Sequence, residues 1–93
     1  MSGLMGEYRD SANRLSFTLS ERSDDFRAFA DRMTALHGEA IQKLSGLDQA
    51  YWDFEVNGAT VVLHADVFAG VSIHVEDGSR EGLLREIARE LTA

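Results

Sequence analysis

His64, His74 and Asp66 are the residues of this chain whose types and spacing come closest to a reactive site. If the two histidines lie on adjacent antiparallel strands, their imidazoles and the nearby carboxylate could supply three zinc ligands and leave a fourth position for water. A metal-binding protein or a metal-dependent enzyme centred on His64 and His74 is therefore one alternative function. No compact ligand motif such as HExxH accompanies them, and histidines on a solvated strand face need no ligand, so we predict no metal site.

Hydrolytic chemistry has less support from the same segment. Ser72, His74 and Asp66 contain the residue types of a catalytic triad, but no G-x-S-x-G turn precedes the serine. Residues this close together on one strand point to opposite faces or lie too far apart to form a triad. The chain also lacks a glycine-rich phosphate-binding loop and an EF-hand loop. We therefore predict no catalytic residue, no cofactor and no enzymatic activity.

The charge of the chain is concentrated in one segment. Leu44–Ser79 contains six carboxylates and neither lysine nor arginine, and it carries most of the formal net charge of −7. This segment should project a negative potential that attracts a basic protein surface. Nucleic acid and anionic membranes are not expected as partners, because binding to either requires clustered lysine and arginine.

Length and composition predict a single domain. The 93 residues suffice for one modest core, and we predict a flexible N-terminal segment over residues 1–12 followed by one α+β domain over residues 13–93. The chain contains no cysteine, and no apolar run approaches the ~20 residues that span a bilayer. Its first residues lack the features of a signal peptide, so the expected location is the cytoplasm.

The pattern of apolar residues predicts a strand and a long helix in the first half of the chain. Residues 15–19 alternate between apolar and polar types, which indicates a short half-buried strand. Ser23 has the side chain of a helix N-cap, and apolar positions then repeat every 3.6 residues, which predicts a helix over 24–45. Gly38 lies within that helix and marks a kink or a break.

Two hairpins follow, and their registers are chosen so that one face stays apolar. The type I′ turn signal Asn57-Gly58 predicts the pairs Val56 with Ala59, Phe54 with Val61 and Trp52 with Leu63. A three-residue loop, Phe68-Ala69-Gly70, predicts the pairs Val67 with Val71, Ala65 with Ile73 and Leu63 with Val75. A two-residue loop is rejected, because it would turn the side chains of the last strand to the wrong face.

The predicted fold class is α+β: a short strand, a long helix, a three-stranded antiparallel meander and a C-terminal helix, with both helices on one face of the sheet. The order over residues 24–93 is similar in topology to double-stranded RNA-binding domains, which place lysines at the start of their last helix to bind phosphate. Ser79-Arg80-Glu81 occupies that place here, beside an acidic sheet, so we predict no RNA binding.

The face opposite the core is the candidate binding surface. The predicted registers place Tyr51 beside His64, His64 beside His74, and Asp66 beside Ser72. Tyr51, His64 and His74 would form one row. The residues that we predict to contact a partner are Tyr51, Asp53, Glu55, His64, Asp66, Phe68, His74 and Glu76.

These observations favour a small non-enzymatic protein-binding module that docks this face on a basic partner, by analogy of size and charge with bacterial immunity proteins, antitoxins and inhibitors. A homodimer that pairs sheet edges is a further alternative, because no lysine or proline protects the predicted second, third and fourth strands. Two imidazoles among carboxylates are also expected to gain charge on mild acidification, which would weaken the negative potential.

Overall fold

The computed structural model describes residues 6–93, which form one six-stranded antiparallel sheet and two helices. The predicted α+β class is confirmed, with six strands in place of the predicted four. The elements are β1 Glu7–Arg9, β2 Leu15–Ser20, α1 Phe26–His37, β3 Gln42–Ser45, β4 Gln49–Val56, β5 Ala59–Asp66, β6 Gly70–Val75 and α2 Glu81–Thr92. Neither helix is long and apolar enough to cross a membrane.

The sheet has the strand order β1-β2-β6-β5-β4-β3, and both helices pack on the same face. We call this face the inner face and the opposite one the outer face. Strands β3 to β6 form a meander, and α1 carries the chain across the inner face from β2 to the far edge at β3. Residues of both layers build the core: Leu15, Phe17, Phe54, Val56, Ala59, Val61, Leu63, Val71, Ile73 and Val75 from the sheet, and Ala30, Met33, Leu84, Ile87, Ala88 and Leu91 from the helices.

The first helix is shorter than the predicted one. It ends at His37, because Gly38 adopts a φ of 99°, a left-handed conformation that interrupts the helical hydrogen bonds. The chain then turns back, and Gln42–Ser45 pairs with β4 as the edge strand β3. The prediction of helix over 38–45 is therefore wrong. The backbone groups along β4 offered this short segment a ladder of hydrogen bonds, which outweighed its helical pattern of apolar residues.

The first hairpin has the predicted register. The pairs Val56 with Ala59, Phe54 with Val61 and Trp52 with Leu63 are all present. The turn has positive φ angles at both central residues, 51° at Asn57 and 79° at Gly58, as a type I′ turn requires. The Asn57-Gly58 turn signal alone predicted this register correctly, because the length of the loop determines which residues pair along the whole hairpin.

The second hairpin has a different register from the predicted one. Asp66 pairs with Gly70 and Leu63 pairs with Ile73, so the three-residue loop is residues 67–69, one position earlier than predicted. The pairing therefore moves by two residues, which leaves every side chain on its predicted face. Two contacts favour the observed register. The Asp66 carboxylate accepts the N–H of Phe68 at 2.7 Å, and Gly70 packs against the backbone of β2.

The strand β1 lies within the N-terminal segment for which the sequence predicted no element. It pairs with β2 and is tied to α2 by two ion pairs, Arg9 with Glu81 and Glu7 with Arg85, the latter at 2.9 Å. Glu7 and Arg9 point to the inner face, where they meet α2, so the two ion pairs cover the end of the core beside β1. Residues 1–5 of the predicted flexible segment lie outside the described residues.

We predict that Gly70→Ala destabilises the protein by about 2–4 kcal/mol. A Cβ at this position would lie 2.1 Å from the backbone oxygen of Ser20, and the φ of 87° strains any other residue. Gly82→Ala is the matched control, because Gly82 lies in α2 with open space around it, and alanine should stabilise the helix by up to about 1 kcal/mol. Urea unfolding followed by Trp52 fluorescence measures both, and an unchanged midpoint for Gly70→Ala would contradict the proposed close packing.

Candidate functional site

The outer face of the sheet is the candidate functional site, and the residues predicted for it do share that face. The alternation along β4, β5 and β6 places one set of side chains among the core residues and directs the other set outward. Six of the predicted contact residues occupy outward positions on these strands: Tyr51, Asp53, Glu55, His64, Asp66 and His74. Glu76 directly follows β6 and donates its N–H to the carbonyl of Thr60 at 2.9 Å.

The cross-strand neighbours on the outer face are only partly those that were predicted. Tyr51 lies opposite His64, as expected. His64 lies opposite Ser72, however, and His74 lies opposite Val62. The predicted pairs of His64 with His74 and of Asp66 with Ser72 are therefore wrong, because the second hairpin is shifted by two residues.

A chain of contacts organises the end of the outer face near the β5–β6 turn. The rings of Tyr51 and His64 are stacked, with centroids 4.3 Å apart and planes 12° apart. The Tyr51 hydroxyl donates to Gln49 Oε1 at 2.8 Å, and Gln49 Nε2 donates to Asp66 Oδ2 at 3.0 Å. Since the other Asp66 oxygen holds the turn through the N–H of Phe68, this carboxylate has a structural role.

Burial favours the neutral form of both His64 and His74. Burial lowers the pKa of His64, although the charge of Asp66 opposes that shift. Burial, together with the positive charge of Arg14, lowers the pKa of His74 to about 4. The expectation that both imidazoles gain charge on mild acidification is therefore not supported, because each is partly covered by its neighbours on the sheet.

Neither of the reactive arrangements considered from the sequence is assembled. Within residues 6–93, no group of three His, Cys, Asp or Glu side chains is placed to hold a metal ion. The Ser72 hydroxyl lies 3.5 Å from His64 Nδ1, a weak contact, and His64 Nε2 is buried with no hydrogen-bond partner in that range. The triad considered from the sequence used His74, but the Asp66 carboxylate bonds to Gln49 and to the turn, so it orients neither His74 nor His64 as the acid of a triad would.

The distribution of charge is the clearest property of the outer face. The six strands contain two cationic residues, Arg9 and Lys43, and the side chains of both lie on the inner face. Arg9 bonds to Glu81 on α2, and Lys43 Nζ lies 4.2 Å from the centroid of the Trp52 ring. The outward positions of all six strands thus lack lysine and arginine. Among the described residues, no ion pair engages Asp53 or Glu55.

Sequence reasoning missed the contribution of β2 to this face. Because β2 pairs with β6, Ser16 lies opposite His74 and Thr18 lies opposite Ser72. Arg14, directly before β2, approaches the same face, and its Nε donates to Asp10 Oδ2 at 2.9 Å. The alternation of residues 15–19 showed that Ser16 and Thr18 point away from the core, but no local signal identifies β6 as the partner strand.

Phe68 lies at the rim of the outer face and is almost fully exposed. It occupies the β5–β6 turn and keeps 90 % of its surface accessible, and the adjacent Val67 keeps 49 %. The side chain therefore does not fold back onto the core. An exposed aromatic ring beside an acidic surface is suited to act as a contact anchor.

Comparison of the chain with models of protein families, with curated proteins and with solved structures gives no match.

We predict that His74 titrates near pH 4 in the folded protein, well below the ordinary imidazole pKa of 6.5. As the pH falls below about 6.5, the unfolded chain takes up this proton first, so the free energy of unfolding should decrease until the pH reaches about 4. The variant His74→Gln removes this contribution and should show a weaker pH dependence of stability. NMR titration of the imidazole resonances gives the pKa directly, and a His74 midpoint at or above 6.5 would contradict the prediction.

Proposed function

We propose that the chain is a small, non-enzymatic protein-binding module whose outer face docks on a basic surface of a partner protein. It would act in the manner of a bacterial immunity protein, antitoxin or inhibitor. The observation that supports the proposal is the absence of lysine and arginine from the outward positions of all six strands, on a face that carries Asp53, Glu55 and Asp66.

Three carboxylates are grouped at the end of the outer face near the Asn57-Gly58 turn. Glu55 lies opposite Thr60, and Glu76 bonds through its backbone to the same threonine from the other side. Asp53 is the next outward residue on β4. The like charges of Asp53 and Glu55 on β4 and of Glu76 across β5 repel one another, and a basic partner would replace that repulsion with attraction.

Aromatic side chains at the other end of the face supply apolar contact area. Phe68 is exposed in the turn, and Tyr51 is partly exposed with its ring held by His64. Aromatic residues that are held rigidly lose little conformational entropy on binding, which is why they are frequent among residues that dominate interface energies. In the proposal, the carboxylates direct the encounter and the aromatic residues contribute affinity.

We predict that the triple variant Asp53→Asn/Glu55→Gln/Glu76→Gln binds an oligoarginine peptide with an association rate constant at least about tenfold lower than that of the wild type at an ionic strength of about 20 mM. The control is Glu21→Gln/Glu39→Gln/Glu86→Gln, which removes the same charge from three exposed positions outside the six strands. It should change the rate constant less than about twofold. Stopped-flow fluorescence with a labelled peptide measures both.

Two outcomes would contradict the proposal. An equal decrease of the association rate constant in the two triple variants would show that the net charge of the chain, and not the position of the carboxylates on the outer face, determines binding of the peptide. Amide chemical-shift changes confined to α1 and α2 when the peptide is added would place the binding surface on the helices.

A further inference from the structure

The edge strand β3 is an open sheet edge. It is the last strand in the order of the sheet, and all four of its residues are exposed. Large apolar side chains are accessible along and beside it, with exposures of 60 % for Ile41, 55 % for Leu44 and 101 % for Leu47. The opposite edge differs, since β1 has three residues and its Glu7 and Arg9 are tied to α2 by ion pairs.

The hydrogen-bonding direction of each β3 residue follows from the hairpin next to it. The two-residue turn makes Val56 and Ala59 a hydrogen-bonded pair, so the even-numbered residues of β4 bond to β5 and the odd-numbered residues bond to β3. In the register of β3 with β4, the even-numbered residues of β3 lie opposite these odd-numbered residues and form backbone hydrogen bonds with them. The bond from the Gly46 N–H to the Gln49 carbonyl at 2.7 Å agrees with this pattern. Lys43 and Ser45 therefore direct their N–H and C=O groups out of the sheet.

The edge is also complementary to itself. We propose that β3 pairs antiparallel with β3 of a second copy of this chain, about a twofold axis at Leu44 and perpendicular to the sheet. In this register Leu44 lies opposite its symmetry mate and Lys43 lies opposite Ser45, while Ile41 and Leu47 flank the paired segment at its two ends. The two exposed Leu44 side chains thus meet at the axis, and the outward backbone groups of Lys43 and Ser45 form two hydrogen-bonded pairs.

Other registers are less favourable. An axis at Lys43 would bring two ammonium groups together and place each Leu44 opposite a polar Gln42. Registers shifted by one residue would place outer-face side chains opposite inner-face ones, which the pleat does not allow in a continuous sheet.

The local charge permits this approach although the whole chain is strongly acidic. Residues 40–47 contain no carboxylate, and their one cation, Lys43, lies against the Trp52 ring on the inner face. The net charge of −7 on each copy still produces long-range repulsion. Added salt should therefore strengthen the dimer, whereas it should weaken binding of a basic probe to the outer face.

The proposed dimer is independent of the proposed function, because it uses the backbone edge of β3 and not the outward carboxylates. It would join two sheets into one of twelve strands with both outer faces on the same side. The interface is small, so we expect a dissociation constant on the order of 10 μM to 1 mM.

Sedimentation velocity over a concentration range spanning that constant, at about 50 mM and about 500 mM salt, tests the association. The wild type should dimerise more strongly at the higher salt concentration. Leu44→Glu should abolish dimerisation by placing two carboxylates at the axis, whereas Leu36→Glu, an equal change at an exposed position of α1, should leave it intact. A wild type that stays monomeric throughout, or equal behaviour of the two variants, would overturn the proposal.

Disulfide trapping tests the register separately, since the natural chain contains no cysteine. The variant Leu44→Cys places the two thiols in a non-hydrogen-bonded pair, where Cα atoms lie about 4.5 Å apart and a disulfide can form. It should form a covalent dimer under mild oxidation at least about tenfold faster than Leu36→Cys, because pairing raises the effective thiol concentration. Equal rates would overturn the proposed axis, even if the wild type dimerises through another surface.

Discussion

The two-residue periodicity of β4, β5 and β6 is the constraint on which the rest of the structure depends. Burial of residues such as Phe54, Leu63 and Ile73 against the helices stabilises the fold by roughly 1.5–3 kcal/mol for each side chain. Because neighbouring residues of a strand point to opposite faces, that burial also forces the carboxylates and imidazoles between them outward. The same alternation that builds the core therefore builds the outer face.

The structure separates its charges between two layers. The helices and their flanks hold most of the arginines, and ion pairs join Arg27 to Asp31 and Arg85 to Glu7. The outer face retains carboxylates without cations in the strands to balance them. A basic surface would therefore be attracted to the outer face more than to the helices. The exposed ring of Phe68 at the rim of that face adds an apolar contact.

The two edges of the sheet are treated differently. A short strand with charged side chains bonded to α2 protects the β1 edge, and these are common devices against unwanted pairing. At the other edge, β3 presents exposed apolar residues around a segment without carboxylates. The outer face and the β3 edge are thus two separate surfaces, one suited to a partner of opposite charge and the other to a second copy of the chain.

Residue types and their spacing alone determined the α+β class, the Asn57-Gly58 hairpin and the face on which each residue of β4, β5 and β6 lies, because turn type and strand alternation are local properties of the chain. Tertiary structure decided what depends on distant segments. Gln42–Ser45 became a strand because β4 offered unpaired backbone groups, and the second hairpin took its register because Gly70 packs against Ser20. His64 and His74 are consequently diagonal neighbours, since the pairing of strands depends on contacts that no short stretch of sequence contains.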